Sequence, residues 1–210
     1  MTIHSVASVT VRRRPDSTQA PPKREAILRA AIDVFADRGF FNAQVADVAR
    51  AAGVAAGTVY LYFRNKDDVL IQLFERTMRE ALTEARAAAA NVKDPAERLR
   101  LFAHLHLARL GHDRTLAVVF QVELRQSVKF MERLSSSLLR DYLGHIRAAF
   151  ADGQAAGRFR SDFNPTLAAK MFFGALDEMA TNWILSKRRY SLEAQADEVV
   201  DFFLRGAAVR

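Results

Sequence analysis

Gln44-Val45-Ala46-Asp47-Val48-Ala49-Arg50-Ala51-Ala52-Gly53-Val54-Ala55-Ala56-Gly57-Thr58-Val59-Tyr60-Leu61-Tyr62-Phe63-Arg64 is the stretch whose reading decides the fold. Two short helices that cross need a small residue at their closest approach, and Ala49 supplies it. Four residues on, the turn between them needs a positive φ, which glycine adopts at low steric cost, and Gly53 stands there. Six residues further, β-branched Val59 seats the second helix on the core, with Val48 and Val54 completing the apolar set. This spacing predicts a helix-turn-helix, with helices over roughly 45–52 and 57–63. An αα-hairpin that binds nothing satisfies the same spacing, so both readings stay open on this evidence.

The flanks extend the helical pattern. Upstream, Ile27, Ala30, Ala31, Val34 and Phe35 fall on one stripe at i, i+3, i+4, i+7 and i+8, with Gly39 placed as a left-handed cap. Downstream, Asn65 with Asp68 three residues on reads as an N-cap with its capping-box acid, opening a long helix through Val69, Leu70, Leu73, Phe74 and Thr77. Asp94-Pro95-Ala96-Glu97 opens the next, to about Gly111. Segments near 114–126 and 128–152 follow, the second ended by Gly153 and Gly157. Asn164-Pro165 starts a very apolar helix to about Ser186, and Ser191 the last, to about Arg205. No strand-like alternation and no fixed-period repeat is present. The expected fold is therefore all-α: a basic arm (1–22, disordered), a three-helix helix-turn-helix domain (23–66) and a larger helical domain (67–210).

Charge separates the two ends. The chain has 210 residues and a formal net charge of +7. Residues 1–66 hold ten Lys and Arg against five Asp and Glu, so most of the excess lies in the first third. A polyanionic partner at that end is the natural inference, although an arginine-rich composition yields a similar balance. Arg12, Arg13 and Arg14 suit a DNA backbone or minor groove, or else a solvated tail. With no cysteine, disulfides, thiol catalysis and cysteine–zinc sites are excluded, and a cytoplasmic location is expected. No apolar run spans a bilayer, and Met1–Arg14 lacks the apolar core of a signal peptide. HExxH, Gly-rich phosphate loops and GxSxG elbows are missing. His104 and His106, two apart, face different ways on a helix. Neither an enzyme, nor a metal site, nor a cofactor is expected.

The second short helix presents Thr58, Tyr60 and Tyr62 outward, with Arg64 and Lys66 just beyond, while Val59 and Phe63 face in. Tyrosine and threonine hydroxyls and a lysine ammonium suit phosphate oxygens. Gly39-Phe40, Ala46-Asp47-Val48-Ala49, Ala52-Gly53-Val54 and above all Gly57-Thr58-Val59-Tyr60-Leu61-Tyr62-Phe63-Arg64-Asn65-Lys66-Asp67 resemble the TetR family of repressors. The resemblance is firm over about residues 23–75. It implies double-stranded operator DNA as a partner, phosphate contacts from Tyr60, Tyr62 and Lys66, and Thr58 at the groove-facing start of the recognition helix. Gln44 and Arg50 complete the expected DNA-binding set. The family usually carries Thr or Ser at the positions of Ala43 and Gln44, and Ser or Lys at those of Ala55 and Ala56. Fewer anchoring hydroxyls follow.

In the larger domain, helix 164–186 is apolar on more than one side, as in a helix buried between two partners. Phe172, Leu176, Met179 and Trp183 form one stripe and Phe173, Ala180 and Ile184 another. With Phe202 of the last helix, the first stripe is expected to make a homodimer through a four-helix bundle. Phe102, His106 and Arg109 share one face of the middle helices. Phe120 and Glu123 share another, with Arg125 nearby. An apolar stripe broken only by Glu123 needs a buried partner for the acid, or a pocket. These six are the expected contacts to a small hydrophobic effector. On pattern alone a hydrogen-bonded, half-buried histidine is the favoured reading of His106, and plain core packing that of the aromatics. A second resemblance, through Tyr60–Leu70 and Phe173-Gly174-Ala175-Leu176-Asp177-Glu178-Met179 with Trp183, is to the acyl-CoA-responsive branch of the family. It implies repression of fatty-acid degradation genes, relieved by long-chain acyl-CoA, with Arg109, Arg125, Lys129 and Arg133 as candidates for the coenzyme A phosphates. A drug-responsive regulator of efflux is the alternative.

Overall fold

The computed structural model describes residues 22–126 and 137–208. Among them the chain is helical throughout: α1 Lys23–Arg38, α2 Val45–Ala51, α3 Ala56–Tyr60, α4 Lys66–Ala89, α5 Pro95–His112, α6 Arg114–Gln121, α7 Ser137–Ala155, α8 Pro165–Leu185 and α9 Ala196–Ala207, with 3-10 turns at Glu123–Gln126 and Glu193–Gln195. The one extended pairing among described residues is an isolated antiparallel bridge, Phe159 to Ala208. The arm expected over 1–22 lies outside the described residues apart from Pro22, and so do Lys129 and Arg133.

The helix-turn-helix forms as its spacing requires. Ala49 and Val59 are buried, Gly53 takes φ 67°, and the Val54 N–H donates to the Ala49 carbonyl at 3.0 Å to close the turn. Asp47 binds α2 to its neighbours: its carboxylate accepts from the Gln44 N–H at 3.0 Å and pairs with Arg38 at 3.0 Å. The capping that a Thr or Ser hydroxyl performs elsewhere is thus partly replaced by an acid reaching back from the first turn.

Four boundaries differ from the sequence reading. α3 stops at Tyr60, because the Tyr62 and Phe63 N–H groups both fold back onto the Val59 carbonyl at 3.0 Å, tightening the exit into the Asn65 cap. That cap behaves as read: Asn65 Oδ1 accepts from the Asp68 N–H at 2.8 Å. The segment 114–126 is not one helix. It breaks at Val122, and the following 3-10 turn directs Glu123 toward α1. Gly153 does not end α7 but lies inside its last turn, where the Phe159 ring packs so closely that a Cβ would stand 2.1 Å from it. Gly39 has positive φ but ψ 148°, a Gly-only extended conformation and not the left-handed helical cap.

The buried apolar residues form one continuous core from Ile27 to Ala207, with no dry gap between the N-terminal helices and the rest. α1 packs on α2, on α4 and on α6. α4, 24 residues and about 36 Å long, therefore begins at the helix-turn-helix and runs along the larger bundle, its last turn mostly exposed. Arg100 of α5 holds α9 through Asp197 at 2.6 Å and Asp201 at 2.9 Å.

Candidate DNA-binding and effector sites

On the helix-turn-helix, Gln44, Arg50, Tyr60 and Tyr62 are exposed and Thr58 is half-buried. Tyr60, Tyr62 and Arg64 border one shallow surface depression. α3 otherwise shows solvent only Ala56 and Gly57, followed by Leu61. α3 thus offers few side-chain donors and acceptors, and those it offers are mainly hydroxyls of the kind that suit phosphate oxygens.

Lys66 departs from its expected role. Its Nζ donates to the carbonyls of Phe40 at 2.6 Å, Phe41 at 3.0 Å and Ala43 at 2.7 Å, and lies 4.6 Å from the centre of the Phe40 ring. All three ammonium hydrogens are engaged by the turn between α1 and α2. The turn needs them, because Gly39 swings the chain out of helix there and its carbonyls have no helical partners. Lys66 fastens the start of α4 to that turn, and a direct phosphate contact is not where its charge is placed.

The same turn is also held from the 3-10 turn after α6. The Phe40 N–H donates to Glu123 Oε2 at 2.6 Å in a buried environment. Glu123, expected to face an effector, instead spans the seam between the helix-turn-helix and the rest of the bundle. The lone acid on an apolar stripe did signal a buried partner, but that partner is backbone 83 residues away in sequence.

Behind this seam lies a cavity of about 400 Å³. Its apolar walls come from Phe74, Met78 and Ala81 of α4, Leu110 of α5, Phe120 of α6, Leu124, Leu139 of α7 and Phe173 of α8. Of the six expected effector residues, His106, Arg109, Phe120 and Arg125 line it. Glu123 does not, for the reason given. Phe102 does not either: its ring is buried behind Tyr142, with centroids 4.5 Å apart.

Two residues that the sequence reading did not select as effector contacts organise the polar end. Asp177 is a buried carboxylate on α8 that accepts from Gln121 Nε2 at 2.6 Å and pairs with Arg125. An acid on the otherwise apolar Phe173–Ala180–Ile184 side of this helix was the available signal. Tyr142, from α7, meets His106 Nδ1 with its hydroxyl at 2.9 Å. Burial pushes the Tyr142 phenol up, so it stays protonated, and burial pushes His106 down, so it stays neutral. Arg109 is paired with Glu84 and Glu80 of α4. No group of acids, histidines or cysteines suited to a metal ion occurs among the described residues.

The dimer stripe is reassigned. Phe172, Leu176 and Trp183 are buried in the chain's own core, and Met179 is half-buried. Phe172 stacks edge-on against Phe150 and Phe203, so α8 turns this side inward to α7 and α9. The outward side carries exposed Leu167, Met171 and Leu185, and α9 adds Phe202, which is 76% exposed. Periodicity found two apolar faces but cannot tell which faces inward.

Residues 27–73 match the family described as bacterial regulatory proteins of the tetR family, and residues 74–206 match the C-terminal region of YsiA-like proteins. The chain belongs to the TetR family. It is a transcription regulator, not an enzyme. The fatty acid metabolism regulator protein of Bacillus subtilis is 34% identical over 90% of this chain and 97% of its own length. Among solved structures, the fatty acid degradation regulator FadR of Bacillus halodurans superposes with a TM-score of 0.82 at 37% identity, covering 89% of this chain and 99% of that one. FadR of Bacillus subtilis, in complex with stearoyl-CoA, gives a TM-score of 0.82 at 33% identity over 87% and 98%.

Proposed function

We propose that this TetR-family chain represses fatty-acid degradation genes and leaves its operator when a long-chain acyl-CoA enters the cavity. The observation that carries the reading is a mainly apolar cavity with one polar end, walled by α4 and by the 3-10 turn that holds the helix-turn-helix. Its volume lies within the range of small-molecule sites, and its walls suit an alkyl chain. The likeness to a FadR bound to stearoyl-CoA supports the choice of ligand.

The DNA-binding surface is assigned to Gln44, Arg50, Thr58, Tyr60 and Tyr62, with Lys66 as the residue that positions the α1–α2 turn. Two copies pair through the outward side of α8 and α9, around Leu167, Met171 and Phe202. Such a two-fold pair presents two α3 helices to successive major grooves about 34 Å apart. No described helix is long and apolar enough to cross a membrane, and the site of action is wherever the operator DNA is, in the cytoplasm of a bacterial cell.

Release is a shift between two arrangements that ligand and DNA prefer differently. Phe74, Met78 and Ala81 line the cavity on the same helix whose first residue, Lys66, grips the α1–α2 turn. Leu124 and Arg125 line it next to Glu123, which grips the same turn. An occupant that displaces either wall moves the helix-turn-helix. The test is fluorescence anisotropy with DNA from upstream of the chain's own gene. Micromolar oleoyl-CoA is expected to release the DNA. Retention in oleoyl-CoA, or release by cationic dyes instead, refutes the assignment.

A further inference from the structure

The polar groups around the cavity are nearly all satisfied. Thr77 Oγ1 donates to the Leu73 carbonyl at 3.0 Å. Gln121 binds Asp177 through its amide nitrogen and accepts from Thr181 Oγ1 at 3.2 Å through its oxygen. Arg125 and Arg109 are each paired with carboxylates. The exception is His106. Its side chain is only 11% exposed, and its Nε2 is buried with no hydrogen-bond partner among the described residues. Asp177 Oδ1 stands 4.0 Å away, beyond hydrogen-bond reach. Buried polar atoms are nearly always paired, so an unpaired one on a residue that lines a cavity, shut off here even from water, marks where a ligand atom belongs once the chamber opens around it.

The neighbours decide what Nε2 offers. The Tyr142 hydroxyl meets Nδ1, and the Asp177 carboxylate lies on the Nε2 side. The carboxylate favours the tautomer with the imidazole proton on Nε2, and the Tyr142 hydroxyl, able to donate or accept, then donates to Nδ1. The open group is therefore a neutral N–H donor in an apolar chamber. The acceptor it calls for is uncharged, because a ligand carboxylate placed there meets Asp177 and finds both nearby guanidinium groups already paired.

We infer that His106 Nε2 binds the thioester carbonyl oxygen of the acyl-CoA, and that this contact makes the site select thioesters over free fatty acids. The inference rests on the acyl-CoA reading above and fixes one atom of it. The acyl chain then runs along the Phe74–Phe120–Phe173 side, and the carbonyl stays at the polar end with Asp177. A hydrogen-bonded core histidine, the bland reading of this residue, accounts for Nδ1 and leaves Nε2 unexplained.

The test uses the full chain and three probes in isothermal titration: palmitoyl-CoA, S-hexadecyl-CoA, in which a methylene replaces the carbonyl, and palmitate. The wild type is expected to bind palmitoyl-CoA about tenfold more tightly than the thioether, with palmitate weakest. His106→Phe, of similar size but with no ring nitrogen, brings the ester-to-thioether ratio to about one by weakening the ester alone. His106→Gln, which keeps an amide donor, recovers part of the ratio. Equal wild-type affinity for ester and thioether overturns the inference, and so does an unchanged ratio in a folded His106→Phe. If the wild type binds neither CoA compound, the acyl-CoA reading itself falls, an outcome distinct from binding both without discrimination.

Discussion

Deleting the Glu123 carboxylate should loosen the protein where the helix-turn-helix meets the cavity wall. The acid accepts the Phe40 N–H at 2.6 Å, is buried, and comes from the 3-10 turn whose Leu124 and Arg125 line the cavity. A hydrogen bond to a charged group contributes about 1.5–3 kcal/mol, so Glu123→Ala should cost about 2 kcal/mol of stability. For a chain of this size that lowers Tm by about 4–8 °C. Glu123→Gln keeps an acceptor oxygen but loses the charge and should cost roughly half as much. If the bond exists in one functional arrangement only, the same 2 kcal/mol is a coupling term, worth about a 30-fold change in the effect of ligand on operator affinity. Urea unfolding gives the first quantity. Operator titrations with and without oleoyl-CoA give the second, with direct ligand binding as the control. A Glu123→Ala protein with a wild-type urea midpoint and undiminished release by ligand refutes the claim that this seam transmits the signal.

Four further outcomes follow from the geometry. Lys66→Met removes three carbonyl contacts and should destabilise by about 2–3 kcal/mol, while the slope of log affinity against log salt stays at its wild-type value. A slope that falls by about 0.9 per protomer would place Lys66 on phosphate after all. Gly153→Ala puts a methyl group into the Phe159 ring and should cost about 1–3 kcal/mol, read as a lowered thermal midpoint. Burial holds both His106 and His145 below the ordinary histidine value near 6.5. The unfolded chain then binds protons more readily, so stability is fully present above pH 6.5 and falls as the pH drops below it. Urea midpoints at pH 7.5 and 5.5 should show that decline, and His106→Phe should flatten it. Phe202→Glu with Met171→Glu should convert a dimer to a monomer in sedimentation at micromolar concentration without lowering the helical circular dichroism.

Local chemistry was legible in the sequence because it acts over a few residues. Ala49, Gly53 and Val59 determined the helix-turn-helix, Asn65 and Asn164 determined where two helices begin, and the run from Gly57 to Asp67 carried the family resemblance. Each depends on spacing or on a cap within one turn, and nothing distant had to be known. His106 and Phe120 were found as wall residues because helical periodicity places them on faces that need a partner. What failed were assignments that depend on which partner a face meets. Glu123 was read as facing a ligand, Lys66 as facing phosphate, and Phe172, Leu176 and Trp183 as facing a second subunit. In each case the side chain satisfies a need elsewhere in the chain: the open carbonyls and N–H of the turn after α1, or the rings of α7 and α9. Burial and hydrogen bonding are satisfied over the whole folded chain, whereas periodicity records only that a residue must be satisfied somewhere. The sequence by itself thus determined the class of protein and the position of its DNA-reading element. Only the tertiary structure decided that Lys66 and Glu123 grip that element from two sides, because their partners lie 26 and 83 residues away along the chain.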